Sequence, residues 1–236
     1  MELFSVNWWS ALAAIILIDL VLAGDNAIVI ALAARRLPAQ LQRRAIIWGT
    51  VGAIVVRSAM TVGVVWLLKI PGLMLAGGLG LLWIAYKLLA DTGGDDEHEE
   101  GGATTFWGAM KTIVIADALM GVDNVLGVAG AAQGSFDLVV LGLLISVPIV
   151  VFGSAIVLRM VQRWPIIIQL GAGVLAFTAA KMVVNEPWLD SVFDGAEAAK
   201  VMLRWATYAA AVAGVLLLGW WNTRRRAAAS ARTESV

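Results

Sequence analysis

The apolar residues of this chain fall in long unbroken runs. They do not form the alternating pattern of a half-buried strand or the narrow stripe of a surface helix. Seven runs, at about 8–34, 45–69, 71–90, 106–131, 138–158, 166–185 and 205–222, are close to or beyond the length that crosses a membrane. That length is ~20 residues for a hydrocarbon core of ~30 Å. The pattern predicts an all-α membrane protein with seven transmembrane helices. Few polar side chains interrupt the runs, and they recur: Asp19, Asp25 and Asn26 lie in the first run, and Asp117, Asp123 and Asn124 repeat them at the same spacing in the fourth.

The recurrence extends beyond these residues. Aligning Asp19 with Asp117 also places Ala31 on Ala129, Ala33 on Ala131 and Ala34 on Ala132. Further on, Val55-Val56-Arg57-Ser58-Ala59 is similar to Val151-Phe152-Gly153-Ser154-Ala155, and Trp83-Ile84-Ala85-Tyr86-Lys87 to Phe177-Thr178-Ala179-Ala180-Lys181. The unit is three spans. An odd number of spans makes the second copy enter the membrane in the opposite sense, the inverted-repeat plan of many secondary transporters. The expected division is a first three-helix unit over 1–90, an acidic cytoplasmic linker over 91–105, and a second, inverted unit over 106–185. An extracytoplasmic loop (186–204), one C-terminal helix (205–222) and a cytoplasmic tail (223–236), expected to be disordered from Ala227, complete it.

Flanking charge sets the expected orientation. Arg35, Arg36, Arg43, Arg44, Lys111, Arg159, Arg163, Arg224, Arg225 and Arg226 lie on one side, against Lys69, Lys200 and Arg204 on the other. The side rich in Lys and Arg is the cytoplasm, so the C-terminus is expected inside and the N-terminus outside a cell inner (plasma) membrane. Tryptophans near the run ends, including Trp8, Trp9, Trp48, Trp66 and Trp107, are expected at the headgroup layer, with Trp83 deeper. The start Met1-Glu2-Leu3-Phe4 lacks the basic stretch of a secretory signal, so the first run is expected to be retained.

Composition narrows the chemistry. Hydrophobic residues make up 61% of the chain and charged residues 14%, with a formal net charge of zero. No basic surface argues for nucleic acid. There is no cysteine, which excludes thiolate ligands, and the lone His98 excludes a histidine cluster. No glycine-rich phosphate loop with Lys and Ser or Thr is present, so a nucleotide-driven pump is not expected; neither an enzyme nor a resident cofactor is expected of this membrane chain.

What remains is acid inside a membrane. In a regular helix Asp19 and Asn26 share a face, while Asp25 is rotated by about a third of a turn and ~9 Å along the axis from Asp19. Gly24 and Gly121 stand beside the two motifs, where a local opening of the helix would re-aim these side chains. Opposed helices would place Asp19 near the depth of Asp123 and Asp25 near that of Asp117, in two acidic layers. A structural alternative pairs the acids with Arg57, Lys87 and Lys181 as charge-balancing cations, the two lysines also being able to snorkel outward. Each charge at a helix centre costs ~2.5–3.5 kcal/mol, so the set costs on the order of 10 kcal/mol before pairing. That rivals the ~5–15 kcal/mol stability of a whole domain and favours a functional role. Carboxylate and amide oxygens without His or Cys suit hard divalent ions such as Mn²⁺, Mg²⁺ or Ca²⁺. A proton or Na⁺ site remains a competing reading.

The stretch from Asp19 through Asp25-Asn26 to Ala33, followed by Arg35-Arg36-Leu37-Pro38, closely resembles the TerC family of integral membrane proteins, particularly its short bacterial members. The second copy at Asp117 to Asn124 and the string Trp83 to Lys87 carry the same resemblance, which covers about 8–222. It implies seven spans, kinship with LysE-type exporters, and manganese efflux. Asp19, Asp25, Asp117 and Asp123 would be the ligands, with Asn26 and Asn124 supplying amide oxygens or orienting the acids. Tellurium resistance, which the family name denotes, is not carried over, because an oxyanion is a poor guest among carboxylates. Some relatives are linked to metal supply for exported proteins or to membrane-protein assembly, which keeps open a non-transporting factor with a protein partner or a homo-oligomer. The segment Asp95-Asp96-Glu97-His98-Glu99-Glu100 reads as a solvated cytoplasmic linker or as a cation-collecting loop.

Overall fold

The computed structural model describes residues 4–67, 70–90, 105–132 and 135–233. The acidic segment at 95–100 lies outside them. The first helix, α1 (Val6–Ala34), starts where the Ser5 hydroxyl accepts the Trp8 N–H at 3.2 Å. It is bent: its arms Val6–Leu20 and Gly24–Ala34 meet at 48°. The bend falls between Asp19 and Asp25. A Cβ on Gly24 would meet nothing, so this glycine serves the bend rather than a close helix approach.

After Pro38, α2 (Ala39–Val62) runs to Gly63, and a single helical turn, α3 (Val64–Leu67), follows. The second predicted run therefore starts earlier than expected and breaks at Gly63. The remaining long helices are α4 (Leu73–Ala90), α5 (Phe106–Ala132), α6 (Phe136–Arg163) and α7 (Ile166–Val184). A 3₁₀ turn (Pro187–Leu189) and the short α8 (Asp190–Phe193) lead into α9 (Ala198–Thr233). The last helix thus starts inside the expected outer loop and runs through most of the expected tail, correcting the disorder predicted from Ala227. Its Ala- and Arg-rich end consists of good helix formers.

Among the described residues all regular structure is helical. Five helices are long and apolar enough to cross a membrane: α2, α4, α6, α7 and the Ala198–Asn222 part of α9. The bent α1 makes a sixth. The helix α5, which carries Lys111, Asp117 and Asp123, is not in this set, so length and apolarity support five or six spans where seven were predicted.

Three apolar clusters fix the packing. One joins Trp8, Leu12 and Ile15 of α1 to Val128 and Ala132 of α5 and to Leu138 and Leu143 of α6. At the other end Ile30 and Ala34 of α1 meet Ala45 and Ile46 of α2, Ala109 and Ile113 of α5 and Leu158 of α6. Hence α1 and α6 run in one direction, and α2 and α5 in the other. A third cluster unites Leu81 and Ala85 of α4 with Leu175 and Ala179 of α7, and α9 lies outside it, touching through Val215. Close approach of α4 and α7 depends on Gly78, where a Cβ would stand 2.7 Å from the Ala179 carbonyl oxygen. The principal pairs are α1 with α6, α2 with α5, and α4 with α7. Exchanging α1 with α5, α2 with α6 and α4 with α7 leaves this set of pairs unchanged.

Trp8, expected at the headgroup layer, is instead buried in the first of these clusters. Trp9, Trp48, Trp66, Trp83 and Trp107 are all exposed on the bundle surface.

A candidate cation site at Arg57

The two apolar clusters at the ends of α1 leave a polar belt between them. Arg57 projects from the C-terminal third of α2, and its Nη1 donates to Oδ1 of Asp19 on α1. Its Nη2 donates to Oδ1 of Asp117 on α5. Asp19 is 3% exposed, Arg57 5% and Asp117 7%, so the ion triad is withdrawn from solvent and lipid alike. Asp19 and Asp117 are the same position of the two repeats, and here they meet at one guanidinium. The expected layers would put Asp19 at the depth of Asp123, whose side chain lies outside the described ones. Arg57 has no counterpart in the second copy, where Gly153 stands.

Asp25 is turned away from this triad. Its Oδ1 accepts the Asn26 N–H at 2.9 Å, and its Oδ2 faces the Thr178 hydroxyl of α7 at 3.4 Å. Arg57 nevertheless lies within electrostatic range of Asp25. Asn26 and Asn124 are both buried. Of Asp123 only the backbone, in α5, is described. Lys181 is exposed and Lys87 half-buried, and neither forms an ion pair among the described residues, which fits snorkelling more than charge balance at the site.

Buried polar atoms without partners are uncommon and call for a reason. Oδ2 of Asp117, Oδ1 of Asn26 and Nε of Arg57 are such atoms among the described residues. Two of them are oxygens of predicted ligands. No three acidic or histidine side chains among the described residues are grouped closely enough to hold a metal, Asp123 being outside that comparison. The arrangement therefore offers oxygen donors from α1 and α5 that already hold a cation, the guanidinium.

Sequence reasoning missed two side chains. Thr178 replaces Ile84 of the first copy, and a hydroxyl at an apolar repeat position was the available signal. Glu186, expected in the outer loop, is 2% exposed. Its carboxylate accepts N–H bonds from Gly72 at 3.0 Å and Leu75 at 3.1 Å, capping the N-terminus of α4. Arg35 holds the other end of that helix by donating to the Leu88 carbonyl at 2.8 Å. A cavity of about 170 Å³ lies beside Glu186, lined also by Ile70, Met74, Trp188, Val122 and Val125. The last two flank Asp123 and Asn124 on α5.

Residues 4–227 match the model of the family described as the integral membrane protein TerC family. An uncharacterized membrane protein, YjbE, of Bacillus subtilis (strain 168) is 44% identical over 180 residues, spanning 76% of this chain and 82% of its own length. The inner membrane protein YgdQ of Escherichia coli (strain K12) is 25% identical over 195 residues, 76% of this chain and 82% of the relative. A second Bacillus subtilis membrane protein, YkoY, is 24% identical over 219 residues, covering 78% of this chain and 68% of the relative. No solved structure matches. Family match, relatives and apolar helices agree: this chain is a multi-pass integral membrane protein and belongs to the TerC family.

Proposed function

We propose that the protein is a secondary transporter that exports a divalent cation, with Mn²⁺ as the cargo, from the cytoplasm. The observation that carries this reading is the convergence of Asp19 and Asp117, equivalent residues of two repeats, on a cation buried inside a membrane bundle. Intramembrane acids of this kind mark ion pathways. The ligands are Asp19, Asp25, Asp117 and Asp123, with amide oxygens from Asn26 and Asn124. Partnerless oxygens on Asp117 and Asn26 support a site that takes more cationic charge than Arg57 supplies. An oxygen-only donor set favours Mn²⁺, Mg²⁺ or Ca²⁺ over zinc or copper.

The opposed directions of α1 and α5, and the exchange symmetry of the helix pairs, support a seven-span inverted repeat with α9 added outside it. In that plan one three-helix half rocks against the other around the site and opens it to each side in turn. The flanking charges support a cytoplasmic C-terminus, and the name of the Escherichia coli relative supports the inner membrane. The protein is a carrier and not an enzyme, driven by an ion gradient, the membrane potential or the metal gradient.

Purified protein in sealed proteoliposomes decides the matter. Mn²⁺ should move across the bilayer with no other protein present. No flux of any divalent ion, of Na⁺ or of H⁺ under imposed pH and Na⁺ gradients would refute transport and leave a factor that delivers metal to, or assembles, exported proteins. Flux of Ca²⁺, or of Na⁺ or H⁺ alone, would keep the carrier and replace its cargo.

A further inference from the structure

We propose that Arg57 sets the preference of this site for divalent over monovalent cations, a role that rests on the transport reading above. The guanidinium holds Oδ1 of Asp19 with one nitrogen and Oδ1 of Asp117 with the other, so it engages two of the oxygens that a transported cation needs. An entering cation must displace it from at least one carboxylate. Coulomb attraction at a given distance scales with charge. A monovalent ion that replaces the guanidinium restores only the attraction lost, and it must shed its own water as well. A divalent ion at the same distance doubles that attraction at each carboxylate, and the remaining aspartate and asparagine oxygens of the proposed site can replace its lost water. Arg57 is therefore a tethered competitor that monovalent ions do not outbid.

Two observations bear on this competitor. Nε of Arg57 is buried with no hydrogen-bond partner among the described residues, so the head group is held through its two carboxylate contacts alone. Gly153, the equivalent position on α6, leaves the second half without a matching cation, so a single arginine serves both repeats. Lys87 and Lys181 do not substitute for it, since neither pairs with a described acid. Without Arg57 the proposed site is four aspartates with no built-in cation, which Na⁺ or K⁺ can occupy.

The test is equilibrium Mn²⁺ binding to the purified full chain in NaCl, KCl or choline chloride at equal ionic strength. Wild-type affinity should be the same in all three salts. In Arg57→Gln, Na⁺ and K⁺ should weaken Mn²⁺ binding about tenfold relative to choline. An Arg57→Gln protein that elutes as a folded species and binds Mn²⁺ equally in the three salts overturns the proposal. If that variant does not fold, Arg57→Lys decides, because an ammonium bonds one carboxylate at a time where the guanidinium fork bonds two. Its binding should be sensitive to Na⁺, though less so than for Gln, and insensitivity overturns the proposal equally. A wild-type protein that binds neither Mn²⁺, Ca²⁺ nor Mg²⁺ in any salt overturns the transport reading together with this one. Salt-insensitive variants of a metal-binding wild type overturn only the role of Arg57.

Discussion

Asp19 and Asp117 lie 98 positions apart in the chain, at the same place in two copies of one motif, and they give their Oδ1 atoms to the two terminal nitrogens of Arg57. Such a meeting needs two helices that cross with their equivalent positions close together, as the opposed α1 and α5 do. Each acid alone would be an uncompensated charge in the bundle; shared between them, one guanidinium offsets both in part.

Asp25 and Asp123, proposed ligands with no described bond to Arg57, give the cleanest test of the ligand set. Replacing Asp25 or Asp123 by Ala should abolish Mn²⁺ resistance in cells while the protein stays in the membrane at normal abundance, because each change deletes a ligand and a charge. Wild-type resistance in both variants would remove these residues from the site.

Orientation can be read chemically, because the chain has no cysteine of its own. A cysteine introduced at Ser191, in α8, should react with a membrane-impermeant thiol reagent added to intact cells, and one at Thr92 should not. The reverse pattern would invert the topology and the direction of export.

Arg57 should matter more to turnover than to affinity. The hypothesis is that the guanidinium neutralises Asp19 and Asp117 when the metal leaves, letting the unloaded carrier return. Arg57→Gln should then slow proteoliposome transport by about tenfold, while Mn²⁺ affinity measured in choline holds or improves. Normal turnover in the folded variant would leave Arg57 as a structural tether in the transport cycle.

Glu186 should act on stability. Its side chain takes N–H groups from Gly72 and Leu75, more than a hundred positions away in sequence, and so ties the end of α7 to the start of α4. Glu186→Ala leaves those donors unsatisfied, a loss of about 2 kcal/mol. Thermal unfolding in detergent should shift downward, with Mn²⁺ affinity per folded molecule unchanged. An unshifted transition would mean that water replaces the cap without cost.

Run length, flanking charge and the doubled Asp-Asn motif are local properties, and from them the sequence alone determined a helical membrane protein and singled out the acids of the doubled motif. An apolar run of a given length has one outcome in a bilayer, and a carboxylate inside it is conspicuous because it costs so much. Contacts between helices are not local. That Arg57 reaches Asp19 and Asp117 together, with Thr178 on Asp25 and Glu186 on α4, follows from which faces pack, and glycines such as Gly78 set how closely they approach. Helix ends depended equally on context: Gly63 breaks the second run, and α9 continues through residues read as a tail. The tertiary structure also decided which equivalent positions meet. Depth along an ideal straight helix paired Asp19 with Asp123, whereas the folded bundle has Asp19 and Asp117 sharing the guanidinium of Arg57.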